Sequence, residues 1–121
     1  MAGGEWKPEP VLLRSLGETE HLRWCAFHYA NGYAPMERAD FEVRAAAWKH
    51  GAEAGDHTVP RPAKDSQRRL HACLIPWEEL NDLSACEKRL TGRDVDYQQI
   101  DINNVLALPR LLAAEKSGGG K

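Results

Sequence analysis

Apolar residues recur every third or fourth position along most of the chain, and this spacing is typical of helices with one buried face. It predicts a first helix over residues 18–30. Ser15-x-x-Glu18 fits a capping box at its start, and Asn31-Gly32 suits the left-handed cap at its end. One face carries Leu22, Cys25, Ala26 and Tyr29, and an adjoining face carries His21, Trp24 and His28. An apolar face is therefore expected next to a face rich in indole and imidazole rings.

A second helix is predicted over residues 36–50, because Pro35 suits its first turn and Gly51 is expected to end it. Its apolar stripe consists of Phe41, Ala45 and Trp48. Residues 51–64 contain several glycine and proline breaks and are predicted to form a long loop. Loops of that length in compact domains tend to be functional or mobile.

Two more helices are predicted towards the end of the chain. One covers residues 83–90 and is closed by Thr91-Gly92. The other covers residues 97–115, and Pro109 must kink or restart it because proline removes one hydrogen bond of the ladder. Its expected inward side chains are Ile100, Val105, Leu108, Leu111 and Leu112.

The segment between the second and third helices is less regular. Residues 67–70 are predicted to form a short helical turn, and residues 72–75 could pair as a short strand. Pro76 favours an extended residue before it and a turn of helix over residues 77–80 after it. The elements together predict a fold that is mainly α with minor β.

The length of 121 residues fits one small domain with a modest core. We expect that domain to cover residues 15–115, with a flexible arm over residues 1–14 and a disordered Gly-rich tail over residues 116–121.

Charge and composition narrow the classes of function. The net charge is −2 and the isoelectric point is near 6.2, so the chain has no basic field that would attract a nucleic acid polymer or an anionic membrane. No apolar run is long enough to span a bilayer, and the first ten residues do not resemble a secretory signal. The three cysteines are predicted to be reduced and buried, as is usual in a cytoplasmic protein.

Two segments combine histidine with tryptophan, namely residues 20–24 and residues 71–80. Tryptophan has a large apolar surface and one N–H that needs a partner, whereas histidine changes its charge near neutral pH. The residues alone leave two interpretations open: the segments form two walls of one core, or two walls of one pocket.

The histidines and cysteines are residue types that serve in zinc sites and in covalent catalysis. His21, Cys25 and His28 share one helical face, and His71-x-Cys73 would complete a zinc site, but the close ligand pairs usual in such sites are missing. Cys25 or Cys73 beside a histidine would be the candidate nucleophile, but no motif for covalent catalysis accompanies them. We therefore predict no metal, no cofactor and no enzymatic activity, with hydrolysis of a nucleotide kept as a third class of function.

Arg61, Lys64, Arg68 and Arg69 form the main basic concentration of the chain, just before His71. They are either a solvated turn or a site for an anionic ligand, since arginine binds phosphate oxygens in a bidentate manner. Aromatic side chains nearby could stack on a nucleobase. The predicted ligand-binding residues are His21, Trp24, Tyr33, Lys64, Arg68, Arg69, His71 and Trp77.

The motifs resemble those of the ryanodine-receptor repeat family, and the resemblance covers about residues 15–113. Its first part is Glu20-His21-x-Arg23-Trp24 followed by Gly32-Tyr33. The second is the basic turn followed by His71-Ala72-Cys73-Leu74-Ile75-Pro76-Trp77-Glu78-Glu79-Leu80. The third consists of Asp101, Asn104, Val105, Leu108, Pro109, Leu111 and Leu112. The chain is most similar to the stand-alone form of bacteria and phages, but it departs from the family in an atypical inserted segment over residues 35–63.

The resemblance implies a small helical domain with a little antiparallel strand. In the receptors such repeats occur in pairs around a pseudo-twofold axis, with an adenine-nucleotide and drug pocket between them and the tryptophan equivalent to Trp24 in its wall. A single repeat could restore that pocket by forming a homodimer.

The resulting hypothesis is a non-enzymatic domain that binds a small nucleotide or cyclic nucleotide signal at a homodimer pocket. It would act as a sensor module or as a phage-encoded sponge that sequesters an immune signal. Trp24, Tyr33 and Trp77 would stack on the base, while Lys64, Arg68 and Arg69 would contact phosphate or ribose. His21 and His71 would fix the orientation of the ligand. The alternative is a protein-interaction scaffold with no small-molecule ligand, whose contact surface is the segment over residues 35–63.

Overall fold

The computed structural model describes residues 8–107, which contain four helices and a small three-stranded sheet. The predicted fold class, mainly α with minor β, is confirmed. The helices are α1 (Pro10–Ala30), α2 (Arg38–Glu53), α3 (Leu80–Thr91) and α4, which begins at residue 97 and continues to the end of the described part. The strands are β1 (Ala34–Pro35), β2 (Lys64–Asp65) and β3 (Leu70–His71), and a 3₁₀ turn covers Trp77–Glu79.

Helix α1 starts eight residues before the predicted position, so residues 10–14 are helical rather than part of an arm. The Ser15–Glu18 capping box does not form, and the Ser15 carbonyl oxygen instead accepts a hydrogen bond from Thr19 Oγ1 at 3.0 Å. Pro10 explains the earlier start, because a proline at the first helical position has no N–H to leave unpaired. The predicted end is confirmed, since the helix stops at Asn31 and Gly32 adopts a φ of +83°.

Helix α2 continues to Glu53, so the prediction that Gly51 ends it is wrong. Gly51 is buried inside the helix, where an added Cβ would lie 2.6 Å from Val59 Cγ2. The glycine therefore permits the following loop to pack against α2. Phe41 and Ala45 are completely buried, as the predicted apolar stripe requires.

The sheet has the order β1-β3-β2, with β1 parallel and β2 antiparallel to β3. Residues 66–69 form the turn of the β2–β3 hairpin, so the predicted helical turn at residues 67–70 is wrong. Asp65 causes the difference, because its Oδ1 accepts hydrogen bonds from the backbone N–H groups of Gln67 and Arg68, both at 3.1 Å. The strand itself lies at residues 70–71 rather than within 72–75.

The turn predicted over residues 77–80 is a 3₁₀ turn over Trp77–Glu79, and α3 begins at Leu80 rather than at residue 83. The predicted closure of α3 by Thr91-Gly92 is confirmed, since the helix ends at Thr91 and Gly92 adopts a φ of +78°. Helix α4 is rotated relative to the prediction. Asp101 and Val105 point inwards, whereas Ile100 is 47% exposed. The rotation brings the Asp101 carboxylate to a histidine of α1. The other predicted inward residues, Leu108, Leu111 and Leu112, lie outside the described residues, as do Pro109 and the tail over 116–121.

The core lies between α2, α3 and the chain that follows β3. Its buried apolar side chains include Met36, Phe41, Ala72, Cys73, Trp77, Leu80, Leu83 and Cys86. Cys25 is half-buried, and all three cysteines are free thiols. No helix within residues 8–107 has the length and apolar character needed to cross a bilayer.

Gly17 of α1 provides a test of the packing between α1, the 3₁₀ turn and α4. An added Cβ would lie 2.7 Å from the Trp77 ring and 3.0 Å from Ile102 Cγ1. We expect Gly17→Ala to destabilise the protein by about 1–3 kcal/mol, although alanine has the higher helix propensity. Urea unfolding measures the change, and Thr19→Ala on the same helix is the control. A Gly17→Ala variant as stable as the parent would contradict this packing.

Candidate functional site

A cavity of 210 Å³ lies between α1, β3 and α4, and it combines aromatic and polar side chains. Three of the predicted ligand-binding residues, His21, Trp24 and His71, line it. Its remaining lining comes from Cys73, Leu80, Tyr97, Ile100, Asp101 and Asn104. The structure therefore brings the two histidine–tryptophan segments together at one cavity, although Trp77 does not line it.

His21 joins three separate parts of the chain. Its Nδ1 lies 3.1 Å from Asp101 Oδ2, and its Nε2 lies 2.7 Å from the Ile75 carbonyl oxygen. Both neighbours are acceptors, so both ring nitrogens donate when the imidazole is charged. Burial alone would lower the pKa of His21, but the hydrogen bonds to Asp101 and Ile75 and the charge of Asp101 raise it overall. His21 is only 2% exposed. Its charged form is therefore stabilised by hydrogen bonds within the protein rather than by water.

His71 has the opposite protonation behaviour. Its Nδ1 accepts a hydrogen bond from the backbone N–H of Cys73 at 3.1 Å, so the neutral ring carries its proton on Nε2. Burial, followed by the nearby charges of His28, Lys64 and His21, lowers the pKa of His71 to about 4. The ring is therefore neutral at physiological pH and presents one N–H donor.

Trp24 is half-buried and lies among three imidazole rings. It is stacked on His21 with a centroid distance of 5.7 Å, and its centroid lies 3.9 Å from that of His28. His71 meets it edge-on at 4.7 Å. His28 is held by a hydrogen bond from its Nδ1 to the Trp24 carbonyl oxygen at 3.0 Å. The sequence suggested a role for His28 only as a metal ligand, yet it completes this ring cluster.

The ring cluster continues outside the cavity to Tyr33 and Lys64. The Tyr33 ring meets His28 edge-on at 5.3 Å, and the Lys64 ammonium lies 5.4 Å from the centre of the Tyr33 ring. Lys64 is also paired with His71 in the hairpin register. These two predicted residues therefore flank the cavity without lining it.

The two predicted arginines are engaged elsewhere. Arg68 forms ion pairs with Asp65 at 2.6 Å and with Asp40 at 2.8 Å, and these carboxylates raise its pKa. Arg69 Nη1 donates to the Asn31 carbonyl oxygen at 2.8 Å. Their contacts brace the hairpin turn against α2 and the end of α1. Trp77 belongs to the core, with its ring centroid 6.2 Å from that of His21.

Tyr97 lines the cavity, but its hydroxyl is committed to a buried carboxylate. It donates to Glu87 Oε1, while Arg93 Nη1 donates to Glu87 Oε2 at 2.6 Å. Arg93 also lies over the Trp48 ring, 5.2 Å from its centre. Burial and the bond to Glu87 raise the pKa of Tyr97, so its hydroxyl stays protonated and is no general base.

Three polar groups remain open in the cavity. Asp101 Oδ1, His71 Nε2 and the Asn104 amide have no hydrogen-bond partner among residues 8–107. No buried side-chain nitrogen or oxygen in that part of the chain lacks a partner, so these three groups are not fully enclosed by the protein. They offer one acceptor, one donor and one group that can do both. The sequence pointed to His71 alone, because Asp101 and Asn104 reach the cavity through the tertiary fold.

The structure places Cys25 next to His21 and buries Cys73. Cys25 Sγ lies 3.4 Å from His21 Nε2, but burial and the Asp101 charge raise the pKa of Cys25. Burial also raises the pKa of Cys73, whereas a cysteine nucleophile needs a lowered pKa. Within residues 8–107, no group of three or more His, Cys, Asp or Glu side chains is placed to hold a metal ion.

No protein-family model matches the sequence, and no curated protein or solved structure matches it significantly.

The raised pKa of His21 predicts how stability depends on pH. His21 is charged in both folded and unfolded chains below about pH 6.5, the ordinary histidine pKa. The contribution of the charged His21 to the free energy of unfolding is fully present below that pH. It is lost as the pH rises through the higher pKa that His21 has in the folded state. We expect the stability difference between the parent and Asp101→Asn to shrink from pH 6 to pH 9. Urea unfolding across that range measures it, and a pH-independent difference would contradict a charged His21.

Proposed function

We propose that this protein is a non-enzymatic domain that binds a small nucleotide-type ligand, with the base in the cavity beside Trp24. The observation that carries the proposal is an aromatic cavity with three lining residues, His71, Asp101 and Asn104, that each have a polar group without a partner among residues 8–107. Such a combination of flat apolar walls and a few polar groups is characteristic of small-molecule sites. The sequence resemblance to ryanodine-receptor repeats supports the same assignment.

The three polar groups would form hydrogen bonds with the edge of a base that has both donors and acceptors. Asp101 Oδ1 would accept a hydrogen bond from an amine or ring N–H, and His71 Nε2–H would donate to a ring nitrogen or carbonyl. The Trp24 ring would contribute stacking of about 1–3 kcal/mol. Asn104, with its amide donor and acceptor, would discriminate between bases.

The phosphate would lie outside the cavity, next to Lys64. This lysine is exposed and lies at the Tyr33 end of the ring cluster. Arg68 is a poor candidate, because a phosphate would have to compete with its two carboxylates. Lys64 therefore takes the role that the sequence suggested for the whole basic cluster.

A homodimer would complete the site. A volume of 210 Å³ is below the range of about 300–1,000 Å³ that is usual for ligand pockets. Ile100 lines the cavity and is 47% exposed, so it provides apolar surface for a second copy at the cavity rim. Two half-sites across a twofold axis would suit a ligand with its own twofold symmetry, such as a cyclic dinucleotide. A sensor module and a phage-encoded sponge would share this arrangement.

Isothermal titration calorimetry against linear and cyclic nucleotides tests the proposal. We expect at least one nucleotide to bind. Trp24→Ala should abolish binding. It should lower the free energy of unfolding by less than the ~3–5 kcal/mol that truncation of a fully buried tryptophan costs, because the ring is only half-buried. Lys64→Ala should weaken binding, whereas Lys49→Ala, which removes an exposed lysine of α2, is the control and should not. Absence of binding across the panel at about 100 µM would refute the proposal and favour the scaffold function.

Ile100 tests the dimer separately. We expect the parent protein to sediment as a dimer and Ile100→Asp to sediment as a monomer, because a charge would replace an apolar side chain at the interface. Val43→Asp is the matched control, since Val43 is also exposed but lies on α2, away from the cavity. A parent that is monomeric with ligand present would exclude the shared pocket.

A further inference from the structure

Helix α1 carries a second exposed surface, which includes the apolar side chains of Val11, Leu22 and Tyr29. Residues 11, 15, 18, 22, 25 and 29 alternate in spacings of four and three, which places them in one stripe along the helix. Four of these residues are apolar, whereas Ser15 and Glu18 are polar. Val11 is 81% exposed, Leu22 is 64% exposed and Tyr29 is 51% exposed. The stripe extends over about 27 Å of helix, which is long enough to contact another helix along five turns.

The part of the stripe from Glu18 to Tyr29 forms one wall of a groove. Leu22, Cys25 and Tyr29 lie on one side, and Leu74, Ile75 and Pro76 lie on the other. The groove has a volume of 340 Å³. Because both walls are largely apolar, the groove matches the apolar face of an amphipathic helix.

Acidic residues mark one end of the groove. Glu18 and Glu78 both line it and are exposed, and neither forms an ion pair with any residue in the described part of the chain. Two carboxylates beside an apolar groove favour an occupant that carries positive charge at the corresponding position.

The same carboxylates argue against a second copy of this chain. Glu18 lies near the middle of the stripe, so a twofold pairing of α1 with its copy would bring two Glu18 carboxylates close together. Like charges at an interface are unfavourable. The occupant with the best charge match is therefore a different protein.

We propose that this groove binds an amphipathic helix of a partner protein, with a lysine or arginine of that helix paired to Glu18 and Glu78. The groove is separate from the ligand cavity, and the inference does not depend on the proposed ligand. The two sites share one wall, because the His21 ring lines both of them.

Two synthetic helices are suitable probes for the full-length protein. Both have about 18–21 residues, which matches the stripe, and both have leucines in three–four spacing. One carries lysines beside the leucines, and the other carries glutamates in the same places. We expect the lysine peptide to bind in fluorescence anisotropy and the glutamate peptide to bind at least about tenfold more weakly, since only charge separates them. Equal affinity of the two peptides, or no binding at about 100 µM, would overturn the proposal.

Variants of the protein locate the binding. Leu22→Gln should weaken binding of the lysine peptide by about tenfold or more, because it removes a central apolar contact. The Glu18→Gln, Glu78→Gln double variant should weaken the lysine peptide and strengthen the glutamate peptide. Val43→Gln is the matched control, because Val43 is 70% exposed on another helix. Binding of the lysine peptide that is unaffected by Leu22→Gln would overturn the proposal. Self-association of the protein that Leu22→Gln disrupts would also overturn it, because the occupant of the groove would then be a second copy of this chain.

Discussion

The buried imidazole of His21 links three segments that are far apart in sequence. It donates to the carboxylate of Asp101 on α4 and to the backbone carbonyl of Ile75, while its own backbone belongs to α1. A buried charge is tolerated only with partners, and the removal of one partner leaves the other uncompensated. The positions of Trp24, of α4 and of the cavity between them all depend on this one group.

Local sequence signals predicted the ends of helices better than their starts. Gly32 and Gly92 both adopt the left-handed conformation that their sequence positions indicate, because a C-terminal cap depends on a few neighbouring residues. The Ser15 cap and the Gly51 stop fail for different reasons. The Ser15 cap fails because Pro10 provides an earlier start for the helix. The Gly51 stop fails because the glycine is buried within α2, where the following loop packs against it.

The candidate site was predictable to the extent that unusual residue types reveal it. His21, Trp24 and His71 stand out in any sequence, and they do meet at the cavity. The role of Arg68 could not be read from its charge, because the carboxylate of Asp40 that binds it comes from α2, which is distant in sequence from the hairpin turn. Asp101 and Asn104 of α4 were not predicted as site residues for a similar reason. The rotation of a helix about its axis is set by the elements it packs against rather than by periodicity alone.

The contact between His21 and Asp101 also constrains how the chain reaches its native state. The two residues are 80 positions apart, so a large loop must close before the buried charge finds its counter-ion. During synthesis, a chain that has not yet exposed Asp101 would hold His21 without its acid partner. The neutral imidazole is then the less costly form. Because the pKa of His21 is raised in the folded chain, formation of this contact favours the uptake of a proton by His21.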